Sequence, residues 1–401
     1  MIDVADAWSI ICRHVRDYGV ESVPLDRAIG RVLREDLRTD RALPPYDRVT
    51  MDGIALQHAA FAAGGRRFPV AGIAAAGAPQ QSLHQPDTCL EVMTGAVLPD
   101  GTDTVIRYED VDITDGVATV RVEELKYGKN VHRHGEDRTA GELIVASGTL
   151  LSAAEIGVAA TVGKSNLSVA RTPKVAIIST GDELVDLDQT PLPHQIRKSN
   201  VYRLQASLRA EGIAADRFHL VDDLETVKAE LRHLLGTYDV LLLSGGVSKG
   251  KFDFLPQALS ELDVQKGFHK IRQRPGKPFW FGTATNGTVV FALPGNPVSS
   301  FLCLQRYFLP WWRASLGLDK RPTVRAVLAE NFSFMPDLTY FLQVRTRFDE
   351  TGRLLAQPVT GNGSGDLANL VEADAFLELP RGQTDFPAGG VFPIYFFRKK
   401  M

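Results

Sequence analysis

Three cysteines in 401 residues, Cys12, Cys89 and Cys303, are too few and too far apart for a disulfide framework. No two of them have the C-x-x-C spacing of a structural zinc site. No window approaches the run of about 18 apolar residues that a membrane-spanning helix needs. Excess charge of one sign is missing as well. The 45 Lys and Arg face 48 Asp and Glu, a net charge of −3, so the broad cationic field of a non-specific nucleic-acid binder is absent. The first residues, MIDVADAWSI, carry acids where a secretory leader needs positive charge. These absences lead to the expectation of a reduced, cytoplasmic protein with neither nucleic acid nor membrane as partner. What is present is chain length and apolar content: 44% hydrophobic residues are enough to fill several cores.

Before residue 41, Val4, Ala7, Trp8 and Ile11, then Leu33 and Leu37, recur at helical spacing, which predicts at least two helices. Two prolines at 44 and 45 break the pattern. From 68 to 122, short β-type runs (89–93, 104–107, 118–122) alternate with Gly, Pro and Asp, as in a small β domain. A polar loop over 129–141 then leads to a helix over 150–162 with Ser152 as its N-cap, so the β domain interrupts the first one. After 171 the chain alternates: strands at 175–179, 217–221 and 240–243, helices at 200–211 and 224–235. This predicts a parallel sheet covered by helices on both faces. Further strands at 279–281 and 289–293 and a long helix over 297–312 follow, with the Trp311-Trp312 pair expected to pack between domains. From 322 short strands return, with turns at 351–352, 361–365 and 388–390.

Ligands of open α/β sheets bind at the carboxyl ends of strands, which singles out four loops. Ser179-Thr180-Gly181-Asp182-Glu183 joins a glycine that lets a backbone approach closely to two acids able to hold a hard cation, although a simple turn with a helix cap uses the same residues. In the stretch from Ser244-Gly245-Gly246 through Ser248 to Asp253, successive amides can form an anion-binding nest, or only a flexible turn. Its spacing is not that of a Walker loop. Arg274-Pro275-Gly276-Lys277-Pro278 fixes two cations in a stiff turn, unless these are plain solvated charges. Pro294-Gly295-Asn296-Pro297 offers an N-cap and a first-turn proline. Acids, cations and amide donors meeting at one sheet edge suit a phosphate ester with a divalent metal. No G-x-S-x-G elbow supports Ser/His/Asp catalysis. His132-Arg133-His134 has H-x-H spacing but reads better as a positive loop than as a metal site.

These loops, together with Pro45-Tyr46-Asp47, Met51-Asp52-Gly53, Met93-Thr94-Gly95-Ala96, Gly135-Glu136-Asp137 and Ser199-Asn200, occur in an order that resembles the molybdopterin molybdenumtransferases, the bacterial MoeA-like proteins related to the gephyrin E domain. The resemblance covers nearly the whole chain. It implies a multidomain α/β plus β fold: a discontinuous N-terminal domain (1–45 and 128–170), an inserted small β domain (46–127), a doubly wound α/β pterin-nucleotide domain (171–319) and a C-terminal β-barrel (320–401). It also implies a homodimer whose active cleft is shared, so that Asp52, Thr94 and Asp137 face the α/β loops of the partner chain.

The implied reaction inserts molybdate into adenylylated molybdopterin with Mg²⁺ and releases AMP. The substrate would come from an adenylyltransferase. On this reading Asp52, Asp137, Asp182, Glu183, Asp223 and Asp253 are the catalytic acids, with Asp182, Glu183 and Asp253 as metal ligands. Thr94, Gly181, Ser244, Gly245, Gly246, Ser248, Arg274, Lys277, Pro294, Asn296 and Pro297 would bind the pterin nucleotide. Several cleft positions differ from the usual family residues: Arg48, Arg197, Lys198, Lys249, Lys251, Arg274 and Gln343. Two alternatives follow, a diverged carrier or regulator that holds molybdopterin without efficient metal insertion, and an interaction scaffold.

Overall fold

The computed structural model describes residues 1–247, 254–318, 322–359, 361 and 365–398. The chain divides into two compact units, one of Met1–Ser22, Gly30–Val32 and Ser168–Met401, the other of Val23–Ile29 and Leu33–Leu167.

In the smaller unit a six-stranded sheet runs in the order Thr104–Arg107, Gly53–Leu56, Cys89–Val92, Arg67–Ala74, Val117–Val120, Val111–Thr114. Alternate residues bury Ile54, Leu56, Cys89, Ile106 and Ala118 on one face and Ala55, Val92 and Val105 on the other, as the two-residue period of a strand requires. Two short ribbons complete it: Arg48–Val49 pairs with Val131–His132, and Leu37–Arg38 with Leu143–Val145. The helix Ala153–Thr161 starts where its cap is written. Ser152 accepts from the Ala154 amide while Glu155 closes a capping box on the Ser152 amide. Ser152→Ala should therefore destabilise this unit by about 1 kcal/mol, read as a lower urea midpoint at unchanged slope.

The expectation of two helices before residue 41 is corrected: the only α-helix described there is Val4–Cys12. Leu33 and Leu37 are fully buried, but in extended chain, with Leu33 donating its amide to the Thr149 carbonyl. Their four-residue spacing is also even, so it serves an extended segment as well as a helix.

The larger unit holds a six-stranded sheet in the order Ala215–Leu220, Val175–Thr180, Val240–Ser244, Val289–Leu293, Trp280–Thr283, Gln265–His269. The first four are mutually parallel, and Trp280–Thr283 runs antiparallel to both of its neighbours, Val289–Leu293 and Gln265–His269, which corrects the expectation of a parallel sheet. Helices cover both faces. Ile177, Leu242 and Phe291 pack with the helices Val4–Cys12 and Ser199–Ala210 and with the helical run from Pro297, while Ile178, Leu241 and Val290 pack with Leu224–Thr237 and Leu255–Glu261. Trp311 and Trp312 lie in the first of these cores, where Trp311 packs on the N-terminal segment, meeting the Tyr18 ring edge-on at 6.4 Å and donating from Nε1 to the His14 carbonyl at 3.0 Å. The expected single helix over 297–312 is helical throughout but opens into a wider π turn at Leu304–Phe308, just before Pro310, which has no amide to give the ladder.

C-terminal strands Thr339–Phe348, Leu354–Pro358, Arg325–Leu328, Val391–Phe396 and Ala375–Leu379 close on themselves, because the first also pairs with the last. This is a five-stranded barrel with no free edge around its core. Gln273–Arg274 pairs with Thr339 and Tyr340, so the turn that follows Arg274 is anchored to the barrel while the next strand, Trp280–Thr283, belongs to the α/β sheet.

Candidate active site

Three of the parallel strands end in polar or glycine-bearing loops at one edge of the α/β sheet, and a cavity of about 500 Å³ opens there. Its wall includes Thr180, Gly181 and Glu183, Ser244 to Val247, Pro294 to Pro297, and Asn200 at the start of its helix. A second cavity of about 290 Å³ shares Pro278, Pro294 and Asn296 with the first and carries Arg274 and Lys277. Of the four loops singled out in the sequence, all thus reach one strand-end site. Ser248, Lys249, Lys251 and Asp253 lie outside the described residues.

The glycines are required by geometry. Gly181 sits at φ +128° and Gly245 at +110°, and a Cβ on Gly245 would lie 2.8 Å from Thr180 Oγ1. A Cβ on Gly181 would run into the Glu183 carboxylate, so the acid is folded tightly over its own loop. Asn200 ties the loops together. Its amide donates to Ser244 Oγ at 3.1 Å and to the Gly295 carbonyl at 2.7 Å. The Asn296 side chain accepts from the Ser299 amide, as its place before Pro297 predicts.

Acids and cations share the larger cavity: Glu183 and Asp222 line it together with Arg197 and Lys198. Asp182, one residue from Glu183, accepts from the Asp222 amide at 3.0 Å and is not part of the wall. Asp223 caps the helix Leu224–Thr237, accepting from the Thr226 amide and hydroxyl at 2.9 and 2.7 Å, and these donors hold its carboxyl below the ordinary range. Asp222, which sequence reasoning does not single out, is the residue of the pair that reaches the cavity. The signal that could have found it is its place: the first polar residue in the loop after a strand, ahead of a cap. Arg274 and Lys277 are exposed, with no carboxylate in ion-pair reach among the described residues. Of the unusual cations, Arg197 and Lys198 both line the larger cavity, Arg197 also donating to the Leu187 and Gln189 carbonyls and Lys198 pairing with Asp186 at 3.0 Å. Gln343 lies on a barrel strand and lines neither cavity.

In the smaller unit, Asp52 accepts from the Thr94 amide at 2.6 Å and the Thr94 hydroxyl at 2.7 Å, and those two donors lower its pKa. This carboxyl is exposed, so the shift reports local hydrogen bonding alone. Thr94→Val removes the hydroxyl donor but keeps the amide. We expect it to move the Asp52 titration part of the way back toward that of a free carboxylate, followed by carboxyl-carbon NMR. Asp137 Oδ1 is 3.0 Å from His132 Nε2, while His132 Nδ1 is 3.0 Å from Arg48. Arg48 can only donate, so Nδ1 accepts and Nε2 carries the proton that is shared with Asp137. Asp47 holds Arg133 and the His134 amide at 2.6 and 2.7 Å. The His132 ring is therefore engaged on both nitrogens, and no cluster of three or more metal-ligating side chains occurs among the described residues. Nor is any helix there long and apolar enough to cross a membrane.

An open α/β sheet whose strand-end loops combine amide donors, acids and cations, joined to a closed β-barrel, defines a protein built to bind an anionic organic ligand. Matches to known proteins make the class specific. Residues 2–163 match the MoeA N-terminal region (domains I and II), 176–314 a probable molybdopterin binding domain, and 325–397 the MoeA C-terminal region (domain IV). The chain is 42% identical over 398 residues to the molybdopterin molybdenumtransferase of Synechocystis, covering 98% of this chain and all of that one. It is 29% identical to the Bacillus subtilis enzyme of the same name, covering 100% of this chain and 95% of that one. The solved structure of a molybdopterin biosynthesis MoeA protein from Pyrococcus horikosii superposes with a TM-score of 0.83 at 28% identity, covering 100% of both chains. The chain belongs to the MoeA family of molybdopterin molybdenumtransferases.

Proposed function

We propose that this protein inserts molybdate into adenylylated molybdopterin and releases AMP, a step of molybdenum cofactor biosynthesis. The observation that carries this reading is the pair of adjoining cavities at the strand ends, the larger lined by Ser244 to Val247 with Glu183, Asp222, Arg197 and Lys198, the smaller by Arg274 and Lys277. Molybdate and a diphosphate are both anionic, so bringing them together needs fixed cations and amide donors. The Gly245-Gly246 loop would cradle phosphate oxygens, and Arg274 and Lys277 would offset the charge that grows on the departing AMP phosphate. Glu183, with Asp222 also in the wall, suits a hard divalent cation that keeps phosphate oxygens in its shell, Asp182 and Asp253 being the further donors that the sequence names, and Mg²⁺ bound there would polarise the phosphoanhydride.

Asp52, Thr94 and Asp137 would serve the cavity of a partner protomer in a homodimer. The adenylyltransferase that makes the substrate would be a delivery partner, in a cytoplasmic setting. Support for metal insertion over a carrier role comes from the acids: a carrier of an anion gains nothing from carboxylates in its wall, and they would repel the ligand. Calorimetry with adenylylated molybdopterin tests binding, and tight binding that weakens with added AMP is expected. Light scattering at micromolar concentration should give twice the 43.9 kDa chain mass, and a monomer would remove the shared cleft.

A further inference from the structure

Arg203 lies one turn along the helix Ser199–Ala210, behind the cavity-wall residues Asn200 and Pro297 that it bonds, and is half-buried. One of its nitrogens makes all of its hydrogen bonds among the described residues: Nη2 donates to Asn200 Oδ1 at 2.9 Å, to the Pro297 carbonyl at 2.6 Å and to Ser300 Oγ at 3.0 Å. The other two, Nε and Nη1, are buried with no partner among the described residues. Its only other neighbour of note is the Phe301 ring, 5.3 Å from the guanidinium carbon. No carboxylate compensates it among the described residues, and burial alone pushes the group down to about 10. A buried charge with two idle donors and no counter-ion is costly unless something else answers it.

Its bonds also fix a choice that sequence cannot make. By donating to Asn200 Oδ1, Arg203 sets which way that amide faces. It leaves Nδ2 to reach Ser244 Oγ and the Gly295 carbonyl, one on each of the two loops that floor the cavity. A lysine or water could not hold the Pro297 carbonyl, Ser300 and Asn200 from one planar group in the same way.

We propose that Arg203 is a positioning and specificity residue of this site: it locks the Asn200 amide that joins the two loops, and its uncompensated charge selects for an anionic ligand in the cavity beyond. The inference rests on the reading of the cavity as an oxyanion site and goes past it, because Arg203 lines neither cavity and acts through Asn200 and through its field. The chemistry it favours is a phosphate or a tetrahedral oxyanion such as molybdate. A neutral ligand of the same shape gains nothing from it.

The test uses the full chain with Arg203→Met, which keeps the volume and removes the charge, and Arg203→Lys, which keeps the charge. Thermal melts are recorded at constant ionic strength, with sodium molybdate replacing sodium chloride. Without molybdate, Arg203→Met should melt no lower than the wild type, because the uncompensated charge is gone. Molybdate should raise the wild-type and Arg203→Lys midpoints and leave that of Arg203→Met nearly unmoved. In turnover, Arg203→Met should raise KM for adenylylated molybdopterin roughly tenfold and leave kcat within a factor of about two.

An equal molybdate shift in wild type and Arg203→Met overturns the proposal, as does a wild type with no shift. A lower melt of Arg203→Met with an unchanged KM would make the residue a structural tether and overturn it as well. If Arg203→Met does not fold, a folded Arg203→Lys that has lost the shift overturns the proposal, and one that keeps it supports the proposal. AMP release by the wild type with an unchanged KM in Arg203→Met sinks this inference and spares the proposed function. A charge-dependent molybdate shift without any AMP release does the reverse.

Discussion

Gly245→Val should lower AMP release by on the order of 10²-fold or more and destabilise the larger unit by about 2–4 kcal/mol. The backbone at Gly245 has φ +110°, which a β-branched residue adopts only under strain, and its Cβ would meet Thr180 Oγ1 at 2.8 Å. Across the floor, a Cβ on Gly295 would already lie 3.3 Å from Gly245 Cα, so the two loops cannot part without disturbing the Asn200 tie. The loss should appear in kcat, because the amides aimed at the ligand move even if it still binds. A variant that keeps its turnover would show that the nest at 244–247 is not where the phosphates lie.

Glu183→Gln should cost turnover on the order of 10²-fold with a change in melting temperature of no more than a degree or two. The side chain is exposed and folded over the Gly181 loop, and it contributes no core contact. Its amide replacement keeps the size and removes the charge that a divalent cation needs, so the Mg²⁺ required for half-maximal AMP release should rise. A large fall in stability with unchanged Mg²⁺ dependence would assign Glu183 to the architecture of the loop instead.

Much of this site is legible in the sequence because local chemistry forces it. Val240–Ser244 has five successive buried positions followed by two glycines, which only a central strand and its ligand loop explain economically. Ser152 with Glu155 writes its own helix start. Misreadings arise where tertiary pairing overrides local pattern. Leu33 and Leu37 pack along extended chain, and their spacing fits either structure. The antiparallel pair Trp280–Thr283 and Val289–Leu293 is joined through Asn286-Gly287, a hairpin signal in the sequence that the alternation of strands and helices elsewhere in the domain overshadowed.

Arg203 illustrates the opposite limit. On its helix it reads as one more solvated cation between Leu204 and Asn200, and its burial depends on Pro297, Ser300 and Phe301, nearly a hundred residues away. Asp222 and Asp223 are equivalent on paper, and only the direction of the helix that follows decides which one caps and which one faces the cavity.

The central claim is that this cavity transfers metal and does not merely hold a pterin nucleotide. Purified wild-type protein incubated with adenylylated molybdopterin and Mg²⁺, with and without molybdate, and followed by chromatography of free AMP, addresses it in one measurement. AMP should appear in amounts that rise with molybdate and exceed one equivalent per chain over repeated turnover. Ligand that stays bound with its adenylyl group intact at every molybdate concentration would contradict the account and leave a carrier in its place.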